Sequence, residues 1–386
     1  MAETQPEALP FLLLLPPAPS PPDAAALKAA FGDTLVQVLK EVESAAQEST
    51  GPAFLEIALA CPHLVGHASQ ARSQLYGPTQ HTLAALYKLV CVIAAKENVN
   101  IEDADGVDVR ILLVAWSPAQ ADQASSQSKA WSGPIIDLDL LAGSQRPYQY
   151  AFGVESEQGE AFVRAFIQAK QSGAEIHRAP GGPVMSSAAG ASFAQEGSGR
   201  IHEHVAVGGT FDHIHIGHKL LLTMTAFAVD NRERSSPVIT IGITGDELLK
   251  NKKHAEQLES WHDRQQSVYR FLRSLVDFSP PGTEQPSIQE VKEEGPNGHA
   301  VNTTFPSGLT LKHICTHHFR RDKVGGKAVN DKRAEKGWPT LEVFEVDVLD
   351  AEEAGESAEN EAQTDFQSKI SSTEIRRKLS EKAKLA

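Results

Sequence analysis

Two runs of alternating strand-like and helix-like segments, divided by a stretch with neither period, constrain this chain more than any other feature of its sequence. In the first run an apolar segment at Leu12 to Leu15 is followed by helix-period spacing from Ala24 to Ala46 and a second apolar segment at Phe54 to Ala60. Helical spacing resumes from Gln80 to Asn98, then Val107 to Trp116 and Ile135 to Leu141 read as strands and Gly159 to Gln171 as a helix. Such alternation predicts an α/β layer structure around a parallel sheet. From Ser172 to Gly199 the chain turns to Gly, Ser, Ala and Pro, as in Pro180-Gly181-Gly182-Pro183, the composition of a flexible linker. The pattern then restarts with a strand at Val205 to Val207, a glycine turn, an apolar-periodic stretch from Leu220 to Val229 and a strand at Val238 to Thr244.

Within residues 259–278, Trp261, Val268, Phe271, Leu272, Leu275 and Val276 recur at three- and four-residue spacings and predict an amphipathic helix. Ser279 to Gly308 reads as an exposed insertion, Leu341 to Leu349 as a late strand, and Glu352 to Glu361 as a solvated acidic loop. Ile370 to Lys384 closes the chain with a charged helix preceded by Ser371, Ser372 and Thr373. The predicted organisation is an α/β domain over residues 1–171 without a catalytic motif and a linker over 172–200. A second α/β domain with a Rossmann-like parallel sheet then occupies 201–386.

A length of 386 residues suits two or so domains, and 41% hydrophobic with 22% charged residues is ordinary for a folded soluble chain. The net charge of -14 argues against a nucleic-acid binder, so any phosphate handled here must meet a local basic cluster. Cys61, Cys91 and Cys315 form no CxxC pair and leave an odd count, which suits a reducing compartment, and the expected location is cytoplasmic. Phe11 to Leu15 lacks the basic start of a signal peptide and the length of a membrane span, and reads as a short buried strand.

The segment Val205 to His218, VAVGGTFDHIHIGH, places strand, glycine pair and helix onset in succession. Gly208 and Gly209 let backbone approach a ligand closely, and the helix that follows presents free N–H groups and a positive dipole end to an anion. His215 and His218, three residues apart, fall on one face of the first turns. A lone histidine in such a place is more often structural; it is the combination that points to phosphate chemistry.

These residues resemble the HxGH nucleotidyltransferase superfamily, which includes pantetheine-phosphate adenylyltransferases and the glycerol- and choline-phosphate cytidylyltransferases. Ile243 to Lys253 (ITGDELLKNKK), Gly325 to Arg333 (GGKAVNDKR) and Lys369 to Arg377 (KISSTEIRR) are similar to eukaryotic phosphopantetheine adenylyltransferases, the fungal kind in particular. The likeness covers about Val205 to Leu379. It implies transfer of AMP from ATP to 4'-phosphopantetheine, giving dephospho-coenzyme A and pyrophosphate without a covalent intermediate. It further implies that His218 contacts the α-phosphate, that His215 supports the nucleotide phosphates, and that Thr210 orients the attacking phosphate. Lys250 is the first choice for a lysine bridging nucleophile and α-phosphate, with Lys252 and Lys253 as rivals two or three positions away. Gly208, Gly209, Phe211, Asn330, Arg333, Ser371, Ser372, Thr373 and Arg376 fall to the nucleotide side, although ordinary helix capping alone accounts for hydroxyl residues before the last helix. Mg2+ is implied as a bridge between the ATP phosphates, retaining most of its water shell.

The family pattern breaks at Leu309 to Val324, LTLKHICTHHFRRDKV, which is basic and polar and reads as a diverged strand. The break puts Arg320 and Arg321 in question as the family's substrate arginine. His313, Cys315, His317 and His318 lack a second ligand pair at finger spacing and do not predict zinc. A CTP-dependent cytidylyltransferase and a non-catalytic regulatory or scaffold relative are the alternative readings. No GxxxxGK[ST] phosphate loop occurs, so phosphorylation of the product is left to a separate dephospho-coenzyme A kinase.

Overall fold

The computed structural model describes residues 9–48, 52–102, 106–120, 133–144, 146–170, 175–184, 199–230, 237–279, 287–292, 299–305, 309–316, 325–346 and 371–385. The first half runs β1 (Leu9–Leu15), α1 (Ala24–Glu48), β2 (Ala53–Ala60), α2 (Arg72–Lys96), β3 (Val107–Val114), β4 (Ile135–Ile136), α3 (Leu138–Gly143), β5 (Tyr150–Glu155), α4 (Glu157–Lys170) and β6 (Ile176–Pro180). Its six strands form one parallel sheet in the order β4-β3-β2-β1-β5-β6. Leu12 to Leu15 are fully buried at the centre of that sheet, which is why an unbroken apolar run, with no alternation, marks β1.

Two expectations for this half change. The apolar stretch at Ile135 supplies only a two-residue strand, because Asp137 accepts a hydrogen bond from Leu140 N at 2.7 Å and caps α3. Part of the stretch read as linker is β6, whose Ile176 to Pro180 pair with β5; among them only Ala179 is buried, too weak a pattern to read as a strand. Residues 185–198 lie outside the described residues.

The second half contains β7 (His204–Gly209), α5 (Ile216–Ala228), β8 (Val238–Thr244), α6 (Trp261–Val276), β9 (Ser287–Lys292), β10 (His299–Thr304), β11 (Thr310–Thr316), α7 (Gly325–Glu335) and α8 (Ser372–Leu385). Its sheet order is β7-β8-β11-β10-β9. The Rossmann-like part, β7, β8 and β11, is parallel, while β10 and β9 add antiparallel at one edge. The segment expected as an exposed insertion therefore extends the sheet. The polar segment after Leu309 is strand β11, seated between β8 and β10; residues 317–324, with His317, His318, Arg320 and Arg321, lie outside the described residues.

The late strand does not form over Leu341 to Val346. That segment keeps the two-residue alternation of exposure but pairs with no strand, and lays Phe344 against Tyr76 of α2 at 4.8 Å between ring centroids. Glu342 accepts from His202 at 3.0 Å. The period came from packing on a helix rather than from a sheet. Residues 347–350 and the acidic stretch after them lie outside the described residues.

α5 joins the two halves. Its Leu222 and Ala226 pack with Ile239 and Ile241 of the second sheet, while Ile216, Leu220, Met224 and Phe227 pack with Leu83 and Tyr87 of α2 in the core of the first. Among the described residues no helix is long and apolar enough to cross a membrane.

Candidate active site

Three separated segments meet at the C-terminal ends of β7 and β8. They line a cavity of about 110 Å³ whose walls are Thr210, His215, Lys252, Ser371, Ser372, Thr373 and Arg376. The first wall is the turn after β7. Gly209 lets the Phe211 ring approach the backbone, since a Cβ there would lie 3.1 Å from it, a tight contact. Phe211 and His213 both occupy the left-handed region, at φ 53° and 46°, which is costly for residues with a side chain.

The surrounding bonds hold that conformation. Asp212, fully buried, accepts from Arg376 Nη1 and, at 3.0 Å, from Glu259 N. His213 N donates to Glu259 Oε2 at 2.6 Å, and its Nε2 lies 2.8 Å from Gln257 O. Burial raises the Glu259 carboxyl above the ordinary value against the opposing pull of that His213 N–H.

His215 stands at the N-cap of α5 with extended backbone and faces the cavity. His218 lies one turn on, its ring stacked on His215 at 3.9 Å and 24°, with the Phe211 ring at 5.4 Å from it, tilted by 51°. The expected shared face is thus realised as a stacked pair in which His215 lines the cavity and His218 sits behind it, both nearly buried.

The second wall is the loop after β8. Lys252 Nζ donates to Thr210 Oγ1 at 3.1 Å and lines the cavity. Lys250, the first choice, and Lys253 are not among the lining residues, whereas Lys252 is. The loop turns through a 3-10 segment at Asp246–Leu249 and a left-handed His254, and neither sequence period tells which lysine such a backbone aims inward.

The third wall is the start of α8. The carbonyl of Ser371 accepts from Glu374 N and Ile375 N at 3.1 Å each, leaving the first N–H groups of the helix directed at the cavity end. Arg376 is buried and committed: besides Asp212, it donates to Lys253 O at 3.2 Å and to Thr373 Oγ1 at 3.3 Å. It ties three walls together as well as lining one of them.

Gly208 pairs with Gly242 across the sheet beneath the turn. Asn330 and Arg333 are not brought to the cavity. Asn330 exchanges two hydrogen bonds with the Leu341 backbone at 2.9 and 2.7 Å, and Arg333 donates to Pro339 O at 2.7 Å, so both fix the return of the chain after α7.

Arg264 was not foreseen. Fully buried, it donates to Thr210 O at 2.7 Å, Thr244 O at 2.9 Å, Glu259 O at 3.1 Å and Asp246 Oδ1 at 2.6 Å, binding the ends of β7 and β8 to α6. A signal existed: Arg264 stands four residues before Val268, on the apolar stripe of α6, where a charge needs a built partner set.

Residues 206–378 match the family described as Cytidylyltransferase-like, and residues 1–185 match a family described as a domain of unknown function, DUF8446. The chain is 35% identical over 179 residues to phosphopantetheine adenylyltransferase of Saccharomyces cerevisiae, which covers 46% of this chain and 49% of that protein. It is 35% identical over 183 residues to an uncharacterized protein of Schizosaccharomyces pombe, covering 47% and 48%. The phosphopantetheine adenylyltransferase of Methanothermobacter thermautotrophicus is 25% identical over 157 residues, 40% of this chain and 79% of that protein. The chain spans about half the length of the two yeast relatives. No solved structure matches it. Over residues 206–378 the chain is thus similar to cytidylyltransferase-like proteins, phosphopantetheine adenylyltransferases among them.

Proposed function

We propose that this chain transfers AMP from ATP to 4'-phosphopantetheine, forming dephospho-coenzyme A and pyrophosphate. The observation that carries the reading is the convergence of Thr210, His215, Lys252 and the Ser371–Thr373 helix start on one cavity from three distant segments. An oxygen of the phosphopantetheine phosphate attacks the α-phosphorus, the bond from that phosphorus to the bridging oxygen breaks, and pyrophosphate leaves with the electron pair. The attacking phosphate is already ionised, so no general base is needed. The protein supplies alignment of two anions and donors for the charge that builds between them.

In this reading Lys252, held against Thr210 Oγ1, bridges the attacking phosphate and the α-phosphate. His215 donates to the nucleotide phosphates, and His218 fixes the plane of the His215 ring by stacking. The hydroxyls and N–H groups of residues 371–373 receive the β- and γ-phosphates at a positive helix end. Among the described residues the walls carry cations and hydroxyls and no carboxylate, so these residues form no oxygen cage for Mg2+. The ion would enter as part of the nucleotide.

Pyrophosphate release with phosphopantetheine and either ATP or CTP tests the reading. Turnover with ATP, at least tenfold over CTP, and its loss in His218→Ala with unchanged circular dichroism are the expected results. Preference for CTP with a phospho-alcohol overturns the adenylyl assignment, and an inactive wild type favours the scaffold reading.

A further inference from the structure

The first half reaches the second through charged contacts placed beside the cavity walls. Lys219, the residue after His218, is buried and donates to Asp108 Oδ1 at 2.6 Å and Val109 O at 2.9 Å of β3. On the opposite wall, Lys378 of α8 lies 3.2 Å from Glu102 Oε2. The side chain of Glu102 is only 6% exposed, and a carboxylate so enclosed requires its counter-charge.

The described residues on either side of Glu102 are held by packing and hydrogen bonds. Val99 and Ile101 are buried in the first core, Asn100 N donates to Glu43 at 2.9 Å, and Val107 N donates to Asn100 O at 2.8 Å. Asn100 Oδ1 in turn accepts from Glu102 N at 3.1 Å. Gly106 lies close to Asn100, where a Cβ would stand 2.5 Å from Asn100 O. Lys378 is five residues beyond Thr373, roughly 7.5 Å along the helix axis.

We propose that the first α/β unit serves the transferase as a clamp that sets the position of the phosphate-receiving helix start, with Glu102 and Lys378 as its positioning pair. The inference rests on the adenylyl-transfer reading of the cavity. α8 is held from two sides within the second half, by Arg376 on Asp212 and by Ser380 Oγ on Glu256 Oε1 at 2.5 Å. The Glu102–Lys378 pair adds a hold from the first half. A change at that pair tilts α8 and moves residues 371–373 relative to Lys252, so it acts on the nucleotide rather than on the acceptor.

Full-length E102Q, K378M and the exchanged pair E102K/K378E provide the test. In E102Q and K378M the KM for ATP is expected to rise about three- to tenfold while the KM for phosphopantetheine stays within about twofold, as misplacement of one substrate predicts. The exchanged pair recovers most of the loss. Hydrogen exchange followed by mass spectrometry reads the same displacement without turnover: amides of residues 371–377 exchange faster in both single variants and return in the exchanged pair. Unchanged ATP KM and unchanged exchange in both single variants overturn the proposal, as does failure of the exchanged pair to restore either. Should the wild type make no dephospho-coenzyme A, the adenylyl-transfer reading fails, and the exchange of residues 371–377 still decides the positioning claim.

Discussion

Lys252 and Lys250 stand two positions apart, yet of the two only Lys252 lines the cavity, where its Nζ donates to Thr210 Oγ1. Lys252→Ala is expected to lower kcat about 100-fold or more, the usual cost of removing one donor to a charge that develops in the transition state. Lys250→Ala, an exposed charge, should change kcat/KM by less than about threefold through screened electrostatics. Steady-state pyrophosphate release on both variants checks the pair, and equal losses would return Lys250 to the site. The residue types of this site were legible from GGTFDHIHIGH, KNKK and SST, because glycine turns, imidazoles, amines and hydroxyls suit phosphate. Which lysine faces inward was not, since a 3-10 turn and a left-handed residue obey no sequence period. The buried charges were missed for a related reason: Asp212 and Arg264 act through partners far along the chain that no local spacing reveals.

The elements read from a clear apolar pattern, α1, β2, β3, β8 and α6, formed close to their expected bounds, because one pattern and one environment coincide in each. Where an element packs on unlike neighbours the period misleads, as at Leu341 to Val346, whose alternation reflects a helix surface. At the element scale the decisive tie is Arg376 to Asp212, both with side chains at most 2% exposed, which locks α8 to the strained turn after β7. Asp212→Asn leaves the guanidinium buried without its counter-charge, and loss of one partner of such a pair costs about 3–5 kcal/mol. Urea unfolding should show a midpoint lowered accordingly, with m unchanged. Arg376→Lys should recover little of the function of Arg376, because an ammonium cannot span Asp212, Lys253 O and Thr373 Oγ1 from one plane. An Asp212→Asn midpoint equal to the wild type would mean that the turn is held by Glu259 and Gln257 alone.

At the scale of the whole molecule the two halves are one folded body, since α5 is apolar on two opposite faces and each half covers one of them. A chain beginning near Arg200 would expose Ile216, Leu220, Met224 and Phe227 together, and is expected to aggregate rather than unfold cooperatively, as light scattering during heating would register. The charged part of this junction gives it a pH dependence of definite sign. Burial works to raise the Asp108 carboxyl, but Arg110 and Lys219 outweigh it and hold the group well below the usual carboxylate range. A carboxyl depressed on folding contributes stability that is complete above its unfolded value of about 4 and is lost as the pH falls toward the folded value. Below pH 4 the unfolded chain takes up the proton first, while the folded carboxyl stays ionised against Lys219, whose side chain is 4% exposed, and folding is disfavoured by that difference. Asp108→Asn removes the same contribution at every pH. The difference in Tm between wild type and Asp108→Asn should therefore be largest near pH 6 and shrink steadily as the pH is lowered from 4 to 3. A difference that stayed constant over that interval would mean that Asp108 carries no folding-linked proton.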